Sequence, residues 1–187
     1  MSNRNTVVRV LHDVGAAAWF GGTLMGAVGL NGAASTVKDS NERAAVASQG
    51  WARWAPLNAA AIGAHAVGGA GLLIANRERA ANQEGTRGNT LVKLGLTVVA
   101  VGLTVWSGVL GGTVAKAGMV PAEGAVVPSS DTPQATAAAM RQLRVVQFAI
   151  PAVVGVLIGL GAQQGEQQKG GEVAKGLAAR ARARVSG

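Results

Sequence analysis

The chain contains no cysteine and no tyrosine, and aromatic residues make up only 3% of it. Without cysteine, disulfides, thiolate metal centres and cysteine nucleophiles are excluded, and the redox compartment stays open. Histidine is nearly absent too, so any imidazole chemistry rests on His12 and His65 alone. There is no H-E-x-x-H, no phosphate-binding glycine loop ending in Lys-Ser/Thr, and no pair of carboxylates within an apolar run. Gly159-Leu160-Gly161 follows an apolar run but leads into a polar tail, not into a βαβ unit. The serines have no obvious base. These absences argue against an enzyme.

Charged residues are only 14% of the 187 residues, and their distribution is the main signal. Four uncharged stretches, residues 14–37, 54–76, 94–115 and 145–165, are each fenced by basic residues. A helix rises about 1.5 Å per residue, so roughly 20 apolar residues cross a bilayer core. The sequence therefore predicts an all-α, four-transmembrane-helix bundle, with helices at about 10–37, 54–76, 92–115 and 142–164. This membrane domain occupies residues 1–165, and residues 166–187 form a basic tail, flexible or lying on the membrane surface. Arg4, Arg9 and Gly32-Ala33-Ala34 imitate a signal peptide, but the first apolar run exceeds the roughly 7–15 residues of a signal core and reads as a retained helix.

The net charge of +8 suggests a polyanionic partner. Because the basic residues cluster at the ends of apolar runs, anionic lipid headgroups fit better than nucleic acid. In the tail, Lys175, Arg180, Arg182 and Arg184 are the candidates for lipid contact. With four crossings, the N-terminal segment, second loop and tail share one side and carry eleven Lys and Arg, against six on the other. The positive-inside rule then places both termini in the cytoplasm and the protein in the plasma (inner) membrane.

Between the second pair of helices, Pro121, Pro128, Pro133 and Ser129-Ser130-Asp131 mark an outer loop that is irregular or partly ordered. In the first loop, Asp39-Ser40-Asn41-Glu42 resembles the start of a short helix. Trp51 and Trp54 suit the outer interface, and Pro56 suits the first turn of the second helix. Pro151 interrupts the fourth helix, predicting a kink with Gln147 satisfying the freed backbone groups.

Every run has a small-residue spacing that suits close helix packing: Gly22/Gly26, Ala64/Gly68, Gly108/Gly112 and Gly155/Gly159. Intramolecular packing is the expected use of these positions. His65 lies at the centre of the second run, where an ionisable group is a functional candidate. Asn58, His65 and Asn76 fall on one helix face, and Thr97 and Thr104 form a similar line on the third helix. Together they predict a polar seam for a ligand or proton. Metal candidates are His12, Asp13 and His65, with no cofactor specified. His12 is expected at the cytoplasmic edge, roughly 15 Å from the midplane by helix rise, and so apart from His65.

Some segments are longer than motifs. The first helix reads Leu11-His12-Asp13-Val14-Gly15-Ala16-Ala17-Ala18-Trp19-Phe20-Gly21-Gly22. The second opens Trp51-Ala52-Arg53-Trp54-Ala55-Pro56-Leu57-Asn58 and continues to Gly63-Ala64-His65. With Val120-Pro121-Ala122-Glu123-Gly124 and Gly165-Glu166-Gln167-Gln168, these resemble an uncharacterised family of small actinobacterial four-helix integral membrane proteins. That resemblance covers about residues 1–168 and implies a plasma-membrane location, with no activity attached. Leu-His followed by Trp-x-Gly-Gly is also similar to copper-resistance-type membrane proteins, from which the chain departs in having two histidines, four methionines and no cysteine. The function expected is a non-catalytic accessory or scaffold subunit of a larger membrane complex. The alternative is a small transporter, or a quinone, ligand or metal binder, using the seam around His65. Partners are the lipid bilayer and other membrane subunits or copies of the chain.

Overall fold

A computed structural model describes the backbone of residues 4–82 and 84–185, and the side chains of residues 6–75 and 88–163. The fold is all-α apart from one small hairpin. Helix α1 spans Arg4–Met25 and passes through a π-helical turn, Gly26–Leu30, into α2, Asn31–Ser35. The long helices α3, Arg43–Asn82, α4, Glu84–Ala117, and α5, Gln134–Val185, follow, with strands β1, Ala122–Gly124, and β2, Val127–Pro128, between the last two. Among the described residues, three helices are long and apolar enough to cross a membrane: Arg43–Ala75, Gly88–Ala117 and Gln134–Gln163. Helix α1 is not among them, since Arg4, Arg9 and Asp13 occupy its first half and its apolar run continues across the π turn.

The helices extend beyond the apolar runs into polar turns that contain no proline. In particular, the short helix expected to start from Asp39-Ser40-Asn41-Glu42 is the first part of the second long helix, which begins directly after that turn. The Asn41 amide donates to the Asp39 carboxylate at 2.9 Å, and Val46 N–H donates to Glu42 O at 2.8 Å, starting α3 at Arg43. Pro56 therefore lies inside α3, not in its first turn. Helix α5 likewise runs on through Pro151.

Helices α1 and α3 are antiparallel and touch backbone to backbone. A Cβ added to Gly15 would lie 2.5 Å from Ala61 O and 2.6 Å from His65 N. A Cβ added to Gly68 would lie 2.5 Å from Val8 O, and closer still to His12 N. Further along, the indoles of Trp54 and Trp51 lie on Gly22 and Gly26. The small residues of α1 and α3 are thus used within the chain, partly to seat rings rather than backbone. Gly155 of α5 meets Phe20. Gly108, Gly112 and Gly159 have nothing within 4 Å of a Cβ position, contrary to the expectation of a packing pair in every helix.

The core has one cluster around Trp19, Ala61, Ala100, Ile150 and Val154, and another around Leu110, Val114, Met140 and Leu143. A buried polar bridge joins three elements beyond the π turn: Trp51 Nε1 donates to Asn31 Oδ1 at 2.9 Å, and Asn31 Nδ2 donates to Gln147 Oε1 at 2.7 Å. The Gln147 side chain is committed there, not to the backbone groups freed by Pro151. Arg43 ties the end of the bundle, donating to the carbonyls of Val37, Ala122 and Glu123. Ser35 Oγ accepts from Ala125 N–H at 3.1 Å and donates to Asn31 O. The loop expected to be irregular or partly ordered is an ordered cap, with β1 and β2 antiparallel.

Replacing Gly15 or Gly68 with Leu drives a side chain into the opposite backbone. Overpacking of this kind costs about 1–3 kcal/mol or more, so a clear fall in apparent Tm in detergent is expected, with no such fall for Gly102→Leu, where space is open. Asn31→Ala strands Trp51 N–H and Gln147, and unfolding should show a loss of about 1–3 kcal/mol.

Candidate functional site

The antiparallel register sets His12 beside His65. Their ring centroids are 4.1 Å apart with planes 20° from parallel. His12 Nδ1 lies 3.0 Å from His65 O, and His65 Nδ1 lies 3.1 Å from His12 O. A carbonyl oxygen only accepts, so each Nδ1 carries the proton and donates across the helix pair. The expected separation of the two histidines, one at the midplane and one at the edge, is overturned. That expectation measured depth from the ends of the uncharged runs, whereas depth is set by where Gly15 and Gly68 let the backbones meet.

The pairing has a local two-fold character. His12-Asp13-Val14-Gly15 and His65-Ala66-Val67-Gly68 share the pattern His-x-Val-Gly. Each glycine packs on the opposite histidine's backbone, and each imidazole bonds the opposite histidine's carbonyl. Two antiparallel helices carrying the same four-residue element can do this reciprocally, since the glycine three residues on lies on the same helix face as the histidine. This repeated element is the signal in the sequence that marks His12 as the partner of His65.

The remaining seam residues are partly gathered here. Asn58 and His65 are both buried on α3. Trp19, fully buried, stands edge-on to His65 at 6.2 Å and donates from Nε1 to Thr104 Oγ1 at 3.2 Å. The Thr104 hydroxyl donates in turn to Ala100 O. Trp19 is therefore the link between the α3 face and the α4 threonine line, and it was missed because an apolar-run tryptophan reads as core. Thr97 bonds back to Lys93 O on its own helix. Asp13 is exposed. The side chains of Asn76, Lys175, Arg180, Arg182 and Arg184 lie outside the described residues.

Among the described residues, no three His, Asp or Glu side chains are placed to hold a metal ion. The stacking of the two rings also bears on metal binding. An imidazole lone pair lies in its ring plane, and near-parallel planes offer no common point for one ion unless a ring turns and gives up its carbonyl. Chemically, the pair is a reciprocal clamp between backbones. Comparison with family models, curated proteins and solved structures finds no match.

If the clamp is reciprocal, His12→Ala and His65→Ala should be strongly non-additive. A double-mutant cycle on unfolding in detergent should give a coupling of about 0.5–3 kcal/mol. Nitrogen-15 NMR should find both imidazoles in the Nδ1–H form, and an Nε2–H form for either ring would remove the clamp.

Proposed function

We propose that this chain is a non-catalytic integral membrane protein, acting as an accessory or scaffold subunit of a larger membrane complex. The observation that supports this best is the unused face of α4. Gly88, Gly95 and Gly102 recur every seven residues, each with no described residue where a Cβ would stand, and Val98, Val99, Val105 and Val109 beside them are exposed. Small residues at helical spacing allow a second helix to approach closely in lipid. By contrast, the polar pair at His12 and His65 is spent on holding α1 to α3.

In this reading α1, the π turn and α2 form the fourth crossing, a helical rod of Arg4–Ser35 whose uncharged stretch begins at Val14. The eleven basic residues then share the cytoplasmic side with both termini, and the capped end faces outward. The resemblance to small actinobacterial membrane proteins agrees with a plasma-membrane location.

A second reading, a small transporter or ligand-binding membrane protein, is favoured by one atom. Asn58 Oδ1 is buried and has no hydrogen-bond partner among the described residues, and such groups in native structures call for an explanation. Under it, Asn58, His65 and the Thr97/Thr104 line would serve the ligand, and His65→Gln would abolish ligand response in a folded protein.

Native mass spectrometry of the protein, extracted at natural expression level in mild detergent, separates the two. The accessory reading expects added polypeptide mass, lost on Gly95→Leu or Gly102→Leu without a fall in Tm. A lone chain carrying only a small extra mass would overturn it and favour ligand binding.

A further inference from the structure

A groove of about 360 Å³ runs along the α1/α3 pair, lined among the described residues by these two helices alone. Val10, Val14 and Ala18 form one wall, and Leu57, Ala61 and Ala64 the other. Its floor is the Gly15 contact that brings the two backbones together, so the groove is a direct result of that close approach. The wall residues on α3 extend over ten positions from Trp54 to Ala64, which is about 15 Å of helix. A bilayer core is about 30 Å thick, so this length matches the hydrocarbon of one leaflet.

The groove's lining is apolar, and at its Trp54 end α3 continues into Arg53. Trp54 lines it there, and its indole Nε1 is a buried donor with no hydrogen-bond partner among the described residues. Arg53 stands beside Trp54, is exposed, and lies one turn before Leu57 on the same face of α3. Its guanidinium makes no hydrogen bond or ion pair with any described residue. The other wall residues are apolar throughout. An apolar slot of one-leaflet length, headed by a free cation and an unfilled donor, has the polarity order of a phospholipid.

We propose that the α1/α3 groove is a specific site for one anionic phospholipid, with an acyl chain along Val14, Ala18, Leu57 and Ala61 and the phosphate at Arg53. The guanidinium is suited to a phosphate because its planar fork pairs with two oxygens at once. An ester or phosphate oxygen would also give the Trp54 N–H an acceptor that no described residue supplies. Lipid in such a slot fills space that the glycine contact leaves next to the helix pair. The proposal requires α1 and α3 to lie in the bilayer, and it is independent of any accessory role.

The test uses the whole protein in mild detergent, titrated with phosphatidylglycerol or phosphatidylcholine and followed by native mass spectrometry and apparent Tm. Wild type should retain one phosphatidylglycerol at least tenfold more tightly than phosphatidylcholine, and its Tm should rise with that lipid alone. Arg53→Gln should abolish the preference, and Ala18→Leu with Ala64→Leu should remove the bound lipid, while Arg141→Gln on α5 leaves both unchanged. Equal retention of the two lipids, an equal loss in Arg141→Gln, or full retention in Arg53→Gln would each reduce the site to ordinary annular lipid and overturn the proposal. Because Arg53 is exposed, its variant folds irrespective of the outcome for the groove-filling pair. Absence of partner subunits in the same spectra bears on the accessory reading and leaves this result intact.

Discussion

The contact of α1 with α3, backbone against backbone at Gly15 and Gly68, is the constraint on which the rest of the structure depends. Apolar side chains gain little by meeting each other in lipid, where the tails are equally apolar. What holds helices together there is surface fit and the hydrogen bonds that fit makes possible. With Gly15 on Ala61 and His65, and Gly68 on Val8 and His12, the carbonyl of each histidine comes within reach of the other imidazole. A side chain as small as a methyl at either glycine would separate the pair and lose both bonds together. The outer groove also exists because the two helices meet at glycine while larger residues stand on either flank.

From that contact the fit spreads toward the capped end. Gly22 and Gly26 continue the same face of α1, and they seat Trp54 and Trp51. Trp51 reaches Asn31, and Asn31 reaches Gln147 on α5, so the α1/α3 pair is fastened to the other half of the bundle by buried polar groups. Trp19 performs the corresponding task nearer the histidines through Thr104 on α4. Beyond them, Arg43 and Ser35 hold the hairpin segment over the helix ends. These particular polar bonds sit between elements, and they tie residues far apart in the chain.

Much of this was legible in the residues. Uncharged runs near 20 residues located the long helices, and the glycine spacing in α1 and α3 located the surfaces that pack. The face shared by Asn58 and His65 is indeed turned inward, since both are buried. Depth was less legible, because the uncharged run of α1 starts at Val14 while the contact that fixes its height begins earlier, at Val8 and His12. The cap was hidden by its composition: Pro121, Pro128 and Pro133 read as a loop, and nothing local reveals that Arg43 binds the carbonyls of Ala122 and Glu123 some 80 residues away. The Asn31–Gln147 bond spans 116 residues and has no periodic signature. On α4, spacing alone gave no way to tell a glycine face used inside the chain from one left open.

The π turn at Gly26–Leu30 has a consequence for how this chain tolerates change. Asn31 N–H bonds back to Gly26 O, five residues earlier, so the helix holds one residue more than its α-helical path needs. That extra residue acts as a phase shift of about 100°, applied to everything after it and to nothing before. The half of the rod carrying His12, Gly15 and Gly22 keeps one angular setting, and the half carrying Asn31 and Ser35 keeps another. Two sets of contacts that demand different rotations of one helix are thereby met at once. Single-residue deletions in this rod are then unequal: one within Gly26–Leu30 removes the surplus residue and leaves a regular helix with Asn31 still turned toward Gln147, whereas one between Gly15 and Trp19 turns the histidine clamp out of phase with the rest of the rod.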